Sequence, residues 1–400
     1  MAGSRAATAP RPTTTLPRPD ATFQDFLDSR SPGFDLVRLV LAFLVLVSHT
    51  WPLGGFGREP SSPLTPDVLT LGGFAVAGFF AMSGMLVGRS ALSRSPSAYV
   101  RARLVRIVPA YWTALVFSAF VVAWIGWTHE RGTVRGFLTF DATGPFGYVV
   151  RAALFPTEFF HGVYDVFLTS TPFGRSAGSS FVNGSLWTLP YELRCYLVVG
   201  LLAIAAKRFG SRRTITTAWV LVGLFAIVRE RRAGFVDATM GAYVDRLLVM
   251  LVFVFLTGAV VAVWADRIRL FGFVPIIAVV VGVAAPLLPS GGTSIFLAEH
   301  VSSATLAFFL PPIAAVVGPL GTWLRGIDLS YGTYLFAWPV QQLVAMWDWA
   351  SGPWSFIAIS GTITLALAAG SWFLVEAPTM RRWSRSPRPA PLAPPTTLAA

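Results

Sequence analysis

The first long apolar run of the sequence, Phe34 to Trp51, contains an arginine, Arg38, and a histidine, His49. An ionisable side chain within a membrane segment is costly in hydrocarbon, so it normally faces inward and serves a function. The eleven helical steps between them place both side chains on one face, about 16 Å apart along the axis. Asp35 falls on the same stripe. One helix face thus carries an acid, a base and an imidazole, although such a histidine can also form a merely structural interhelical hydrogen bond.

A cluster of arginines precedes the third apolar run, with Arg101, Arg103 and Arg106 in close succession. Positive charges that flank a membrane helix would explain any one of them. Arg103 and Arg106, however, are spaced i, i+3, so a helix presents two bidentate donors side by side, which suits phosphate groups. The spacing alone leaves a phosphate site and ordinary flanking charge equally open.

A carboxylate, Glu192, lies in the segment 184–194, which also contains Pro190. Proline lacks an amide donor and should kink or delay the helix here, which leaves Glu192 within or at the edge of the membrane. A contact with the backbone or a neighbouring arginine at a wet helix end is the plainer alternative. Counted from the charges at the cytoplasmic ends of their helices, Glu192 and His49 both lie about 21 Å deep. A base and a carboxylate could therefore meet.

The elements that must position these side chains are membrane helices. The 400 residues are 54% hydrophobic and 12% charged, about half the charge of a soluble domain. Runs of about twenty apolar residues are long enough to cross a bilayer. We predict an all-α, polytopic bundle of about ten transmembrane helices, over residues 34–51, 69–88, 107–127, 185–206, 214–228, 247–264, 270–288, 302–320, 327–347 and 354–375.

Arginine-rich loops set the expected orientation. Most of them fall on one side of the membrane if both termini are cytoplasmic, and only the loop over 229–246 disagrees. We expect a multi-pass protein of the plasma membrane. The net charge of +12 belongs to these loops and tails, so we expect no nucleic-acid partner. The single cysteine, Cys195, excludes an internal disulfide and a zinc site built on several thiolates, and no metal is expected.

The sequence divides into three parts. Residues 1–33 and 381–400 are biased toward small, proline and basic residues and are expected to be disordered cytoplasmic tails. Residues 34–380 form the transmembrane domain. Its longest connection, about 128–184, is placed outside and has enough aromatic residues to cover the outer mouth of the bundle.

Small and aromatic residues mark several helices. Gly78, Ser83 and Gly84 in the second span should permit close helix contact. The aromatic residues of the segments 328–334 and 338–339 are best explained by a membrane-interface belt.

In combination these segments resemble the acyltransferase 3 family of integral membrane O-acyltransferases. The resemblance covers residues 34–380 and rests on the order of Arg38-x10-His49, the run 78–84, Arg103-x2-Arg106 followed by 107–111, the segment 185–192, the segment 330–332 and Glu376-x-Pro378. It implies that His49 is the essential catalytic residue and that the arginine pair is needed for activity. Many members have a further histidine where this chain has Ala337, so the catalytic load would fall on His49.

The family further implies a cytoplasmic acetyl-CoA or other acyl-CoA donor and sugar hydroxyls of surface polysaccharides or lipid-linked precursors as acceptors. We expect His49 to act as the base, Glu192 to orient it, Arg38 to lie between it and the donor, and Arg103 and Arg106 to hold CoA phosphates. Direct transfer and an acyl-histidine intermediate both fit. The alternatives are a flippase for a lipid-linked sugar with a proton relay, acylation of a glycosylated secondary metabolite, and a structural or sensory protein. The oligomeric state is not indicated.

Overall fold

The computed structural model describes residues 18–29, 31–60, 70–153, 162–232, 245–285 and 292–384. For residues 292–297 and 384 it describes the backbone only. Over these ranges the chain forms helices joined by turns, and its only extended pairing is an isolated bridge between Thr22 and Arg269. The predicted all-α class is confirmed.

The helices follow the apolar runs of the sequence. They are α1 (Phe23–Asp28), α2 (Gly33–Gly54), α3 (Leu71–Ser93), α4 (Pro96–Phe117), α5 (Ala123–Arg131), α6 (Pro145–Ala152), α7 (Pro172–Ala177), α8 (Thr188–Phe209), α9 (Ser211–Arg231), α10 (Arg246–Val263), α11 (Phe273–Ala284), α12 (Gly292–Val317), α13 (Ser330–Met346), α14 (Pro353–Ser371) and α15 (Ala377–Ser384). A π-helical turn, Ser118–Val122, joins α4 to α5, and a second, Trp372–Glu376, joins α14 to α15.

Within the described ranges, eight helical segments are long and apolar enough to cross a membrane. They are Gly33–Gly54, Leu71–Ser93, Pro96–Arg131, Gly184–Phe209, Ser211–Arg231, Arg246–Val263, Ala298–Leu324 and Pro353–Trp383. The other two predicted spans correspond to the shorter helices α11, of 12 residues, and α13, of 17 residues. The multi-pass character is supported, whereas a count of ten and the cytoplasmic termini stay predictions.

Helix α2 is the centre of the bundle and contacts α3, α12, α13 and α14. Helices α3 and α10 approach so closely that only glycine fits between them. A Cβ atom added at Gly84 would lie 1.9 Å from the carbonyl oxygen of Phe255. One added at Gly258 would lie 2.1 Å from that of Ala81. The predicted small-residue contact is thus confirmed at Gly84.

Parts of the two predicted tails are helical. Residues 1–17 and 385–400 lie outside the described ranges, but within the N-terminal segment Thr22 and Asp25 form a capping box that starts α1. Phe23 and Phe26 are buried there, and their burial explains why this part of 1–33 is ordered. At the other end α15 continues to Ser384, so disorder is wrong for the first residues of 381–400.

The predicted outer loop packs against the bundle over its described residues, which exclude 154–161. Val166 and Phe167 are wholly buried. The Asn183 amide donates to the Ser118 hydroxyl at 3.1 Å and to the Leu335 carbonyl at 3.0 Å. This segment therefore contacts the end of α4 and the interior of α13 beside the site described next.

Candidate active site

His49 lies near the end of α2, which stops because Gly55 takes a left-handed conformation with φ 72°. The imidazole lines a cavity of about 410 Å³. Its Nδ1 atom is buried and has no hydrogen-bond partner among the described residues. The ring as a whole borders the cavity, so a molecule bound there would contact it. The lining residues are Val45, Ser48, His49, Pro52, Gly57, Arg58, Glu59, Thr70, Gly72, Gly73, Val76, Trp187 and Tyr334.

The indole of Trp338 orients the His49 ring by an edge contact, with ring centroids 4.9 Å apart and planes at 78°. The indole N–H donates to the carbonyl of Phe181 at 3.2 Å. A Cβ atom at Gly184 would lie 2.6 Å from the indole, so glycine is required there for Trp338 to fit. The neighbouring Ala337 is fully buried in an apolar cluster.

Arg38 and Glu192 share a second, smaller cavity of about 50 Å³. Val76 and Tyr334 line both cavities, so the two are adjacent. Glu192 accepts a hydrogen bond from the Tyr196 hydroxyl. No hydrogen bond or ion pair joins Glu192 to His49 in the described part of the chain. The expected pair of carboxylate and imidazole therefore does not form.

Arg38 and Arg106 meet on one carboxylate, Asp328. Arg38 Nη1 and Arg106 Nη2 each lie 2.5 Å from Asp328 Oδ2. Arg106 Nη1 also lies 3.3 Å from Glu376 Oε2. Asp328 precedes α13 and lies outside the eight helical segments that are long and apolar enough to cross a membrane. Burial raises its pKa, but Arg106, Arg38 and the hydrogen bonds from Ser330 outweigh that effect and hold the pKa well below its usual range.

Arg103 lines a third cavity. Its guanidinium lies 5.7 Å from the ring centre of Tyr196, and its buried Nε has no hydrogen-bond partner in the described chain. The cavity measures about 280 Å³ and is also lined by Arg94 and Lys207. The two arginines of the predicted pair therefore have different neighbours. Arg106 is occupied by carboxylates, whereas Arg103 joins two other cations.

The arrangement is a row of cavities with a histidine at one end and three cations at the other. The model of a family described as an acyltransferase domain matches residues 31–374 of the chain. The chain belongs to this acyltransferase family. An O-acetyl transferase of Shigella phage Sf6 is 29% identical to this acyltransferase over 349 residues, which cover 87% of this chain and 95% of the phage protein.

Nodulation protein 10 of Rhizobium leguminosarum bv. viciae is a second relative, 26% identical over 365 residues, which cover 87% of this chain and 93% of that protein. No solved structure matches the acyltransferase significantly. Family membership, the phage relative and the apolar helices together support membrane O-acyltransferase activity.

Asp328 and Glu376 lie in segments singled out from the sequence, but neither carboxylate was predicted to pair with an arginine of the acyltransferase. Asp328 is 290 residues from Arg38 and 222 from Arg106, and Glu376 is 270 from Arg106. Their type gave a signal, since each is an ionisable residue at the edge of an apolar run. Which of them pair is not readable without the helix arrangement.

Glu59 was also missed. It lines the His49 cavity and accepts hydrogen bonds from the Ser48 hydroxyl and from the amide of Leu71, both at 2.8 Å. Because Leu71 begins α3, this carboxylate ties the end of α2 to the start of α3. Glu59, rather than Glu192, is the carboxylate on the cavity that contains the imidazole.

Proposed function

We propose that this acyltransferase moves an acetyl or other short acyl group from an acyl-CoA to a hydroxyl of a carbohydrate, with His49 as the base. One observation carries the proposal: the His49 imidazole lines a cavity large enough for a sugar ring, and this cavity adjoins that of Arg38 and Glu192. An alcohol is a poor nucleophile until a base removes its proton. Imidazole titrates near working pH and is suited to that role.

The donor enters from the cytoplasm, at the cavity lined by Arg94, Arg103 and Lys207. Three cations around one cavity favour the phosphates of CoA, and guanidinium groups bind phosphate oxygens in pairs. Tyr196 lines this cavity and donates to Glu192 in the next one. The acyl end then reaches Arg38, whose charge stabilises the oxyanion that forms when the hydroxyl attacks the thioester carbonyl. Collapse of this intermediate breaks the carbon–sulfur bond, and the CoA thiolate leaves with the proton that His49 took from the hydroxyl.

The acceptor occupies the His49 cavity and approaches from the outer side of the plasma membrane. A surface polysaccharide or its lipid-linked precursor has the required hydroxyl groups. The name of the phage relative, an O-acetyl transferase, supports transfer to oxygen. A proton relay of the flippase type is less well supported, because His49 and Glu192 are not joined by a hydrogen bond.

The test uses inverted membrane vesicles from the cells that naturally produce the protein, radiolabelled acetyl-CoA and the glycans of those cells. Wild type should transfer label to glycan, and His49→Ala should lower the rate by about 100-fold or more, the range for loss of a general base. Arg89→Gln is the control, since the ion-pair partner of Arg89 among the described residues is the exposed Asp28. Undiminished transfer by His49→Ala would exclude His49 as the base. Mass spectrometry of the glycan identifies the acyl group and the sugar.

A further inference from the structure

Arg106 is poorly placed to bind a donor phosphate. Its Nη2 lies 2.5 Å from Asp328 and its Nη1 3.3 Å from Glu376, and its side chain is only 19% exposed. A cation that already contacts two carboxylates adds little attraction for a third anion. Arg103 differs, since it has no carboxylate partner in the described chain and lines a cavity with two further cations.

Asp328 connects Arg106 to Arg38 through a single oxygen atom. Its Oδ2 contacts both guanidinium groups, and its Oδ1 accepts hydrogen bonds from the Ser330 amide at 3.1 Å and the Ser330 hydroxyl at 2.5 Å. The carboxylate is therefore fixed by four donors. A change at Arg106 must alter the position or the charge environment of Asp328, and through it those of Arg38.

The direct ion pairs of this cluster are balanced in charge. Two arginines face two carboxylates, and Glu376 also accepts from the Ser371 hydroxyl at 2.9 Å. Buried charges are costly unless paired and hydrogen-bonded, and a fully satisfied network is rigid. Glu376 is the last residue of a π-helical turn, a local departure from α-helix that often occurs at functional sites. A rigid network anchored at a π-helical turn is suited to holding one side chain in place.

The held side chain is Arg38, the one member of the cluster that lines the small cavity between the donor and His49 cavities. We propose that Asp328 is a positioning residue that holds Arg38 in this cavity, and that Arg106 and Glu376 act on the reaction through Asp328 and not by binding donor phosphates. This inference rests on the proposed acyl transfer. It assigns different roles to two arginines only three residues apart.

The experiment compares Arg106→Gln, Asp328→Asn, the double variant and Arg103→Gln in full-length protein. Three quantities are measured: the maximal rate of acetyl transfer in inverted vesicles, the KM for acetyl-CoA, and the thermal shift caused by CoA in detergent. Arg106→Gln and Asp328→Asn should each lower the rate about 100-fold, the size of effect expected from a misplaced catalytic group. Both should keep the KM within about 3-fold and keep the CoA shift.

Arg103→Gln should show the opposite pattern, with a KM raised about 10-fold or more and a lost CoA shift, because one good charged hydrogen bond contributes about that factor. The double variant Arg106→Gln/Asp328→Asn should be no slower than either single variant, since residues that act as one unit are not additive. Its charge is balanced, so it remains informative if a single variant fails to fold. Arg106→Lys should restore part of the rate.

Loss of the CoA shift in Arg106→Gln or Arg106→Lys, in protein that still unfolds cooperatively, would overturn the inference and make Arg106 a phosphate ligand. Additive losses in the double variant would overturn the coupling through Asp328.

Different results would overturn the proposed function. If His49→Ala retained transfer, the base would be wrong while the Arg106 and Asp328 results stood. If CoA failed to stabilise even the wild type, donor binding and the arginine assignments would both be overturned.

Discussion

At the residue scale, the neighbours of a polar side chain decide its role more than its residue type does. Among the described residues, His49 has a buried Nδ1 without a hydrogen-bond partner and no carboxylate bonded to its ring. The ring borders a cavity and is in edge contact with Trp338. This differs from a catalytic triad, in which an acid fixes the imidazole. Arg103 and Arg106 are residues of the same type with different neighbours. Arg106 contacts two carboxylates, whereas Arg103 lines a cavity with two other cations.

The low pKa of Asp328 gives a stability prediction. A carboxyl group whose pKa is lower in the folded state contributes stability above its unfolded pKa, about 3.9, and loses it as the pH falls toward the folded pKa. The difference in unfolding temperature between wild type and Asp328→Asn should therefore be constant from pH 5 to 8 and should shrink below about pH 4. Thermal unfolding in detergent measures it. A difference that changed between pH 6 and 8 would contradict the assignment.

At the element scale, α2 contains both Arg38 and His49, and the neighbouring helices supply the side chains that contact them. Arg38 lies toward one end, against Asp328 before α13, and His49 lies toward the other end, against Trp338 within α13. The segment formed by Asp328 and α13 thus contacts α2 at both functional positions. The outer segment reinforces this arrangement, because the carbonyl of Phe181 accepts hydrogen bonds from Trp338 and from Gln342 of α13.

The contact between α3 and α10 gives a packing prediction. Gly84→Val should destabilise the protein, because the new side chain collides with the backbone of Phe255, which cannot rotate away. Overpacking of this kind costs about 1–3 kcal/mol or more. The matched control is Gly370→Val in α14, where an added Cβ has open space. The unfolding temperature should fall only in the first variant, and equal effects would contradict the close contact.

At the scale of the whole molecule, three cavities follow one another through the bundle. Tyr334 and Val76 line the first two, and the Tyr196–Glu192 hydrogen bond joins the second to the third. Such a row allows a donor and an acceptor to approach a shared centre from opposite sides. The direction of that row in the membrane depends on the predicted orientation.

Cysteine labelling tests the orientation. Cys195 is buried and should not react. Arg135→Cys, in the predicted outer segment, should react with a membrane-impermeant maleimide in intact cells. Arg208→Cys, at the predicted cytoplasmic end of α8, should react only after permeabilisation. Both positions are exposed, so a failure to react reports the side of the membrane and not burial. The reverse pattern would place the donor cavity outside.

The sequence by itself determined the membrane class, the approximate extent of the helices and the shared face of Arg38 and His49. These are local properties, because hydrophobic length and the helical period depend only on neighbouring residues. The close contact at Gly84 was readable for the same reason. The family resemblance, supported by the match over 31–374, added the class of reaction.

The tertiary structure decided which charges meet. Matched depth suggested that Glu192 would pair with His49, but depth fixes only the position along the membrane normal and not the direction in which a helix face points. Glu192 instead accepts a hydrogen bond from Tyr196, one turn further along the same helix α8. The partner of Arg38 is Asp328, which is 290 residues away in the sequence. Pairings across hundreds of residues depend on how whole helices pack, and no local pattern in the sequence records that.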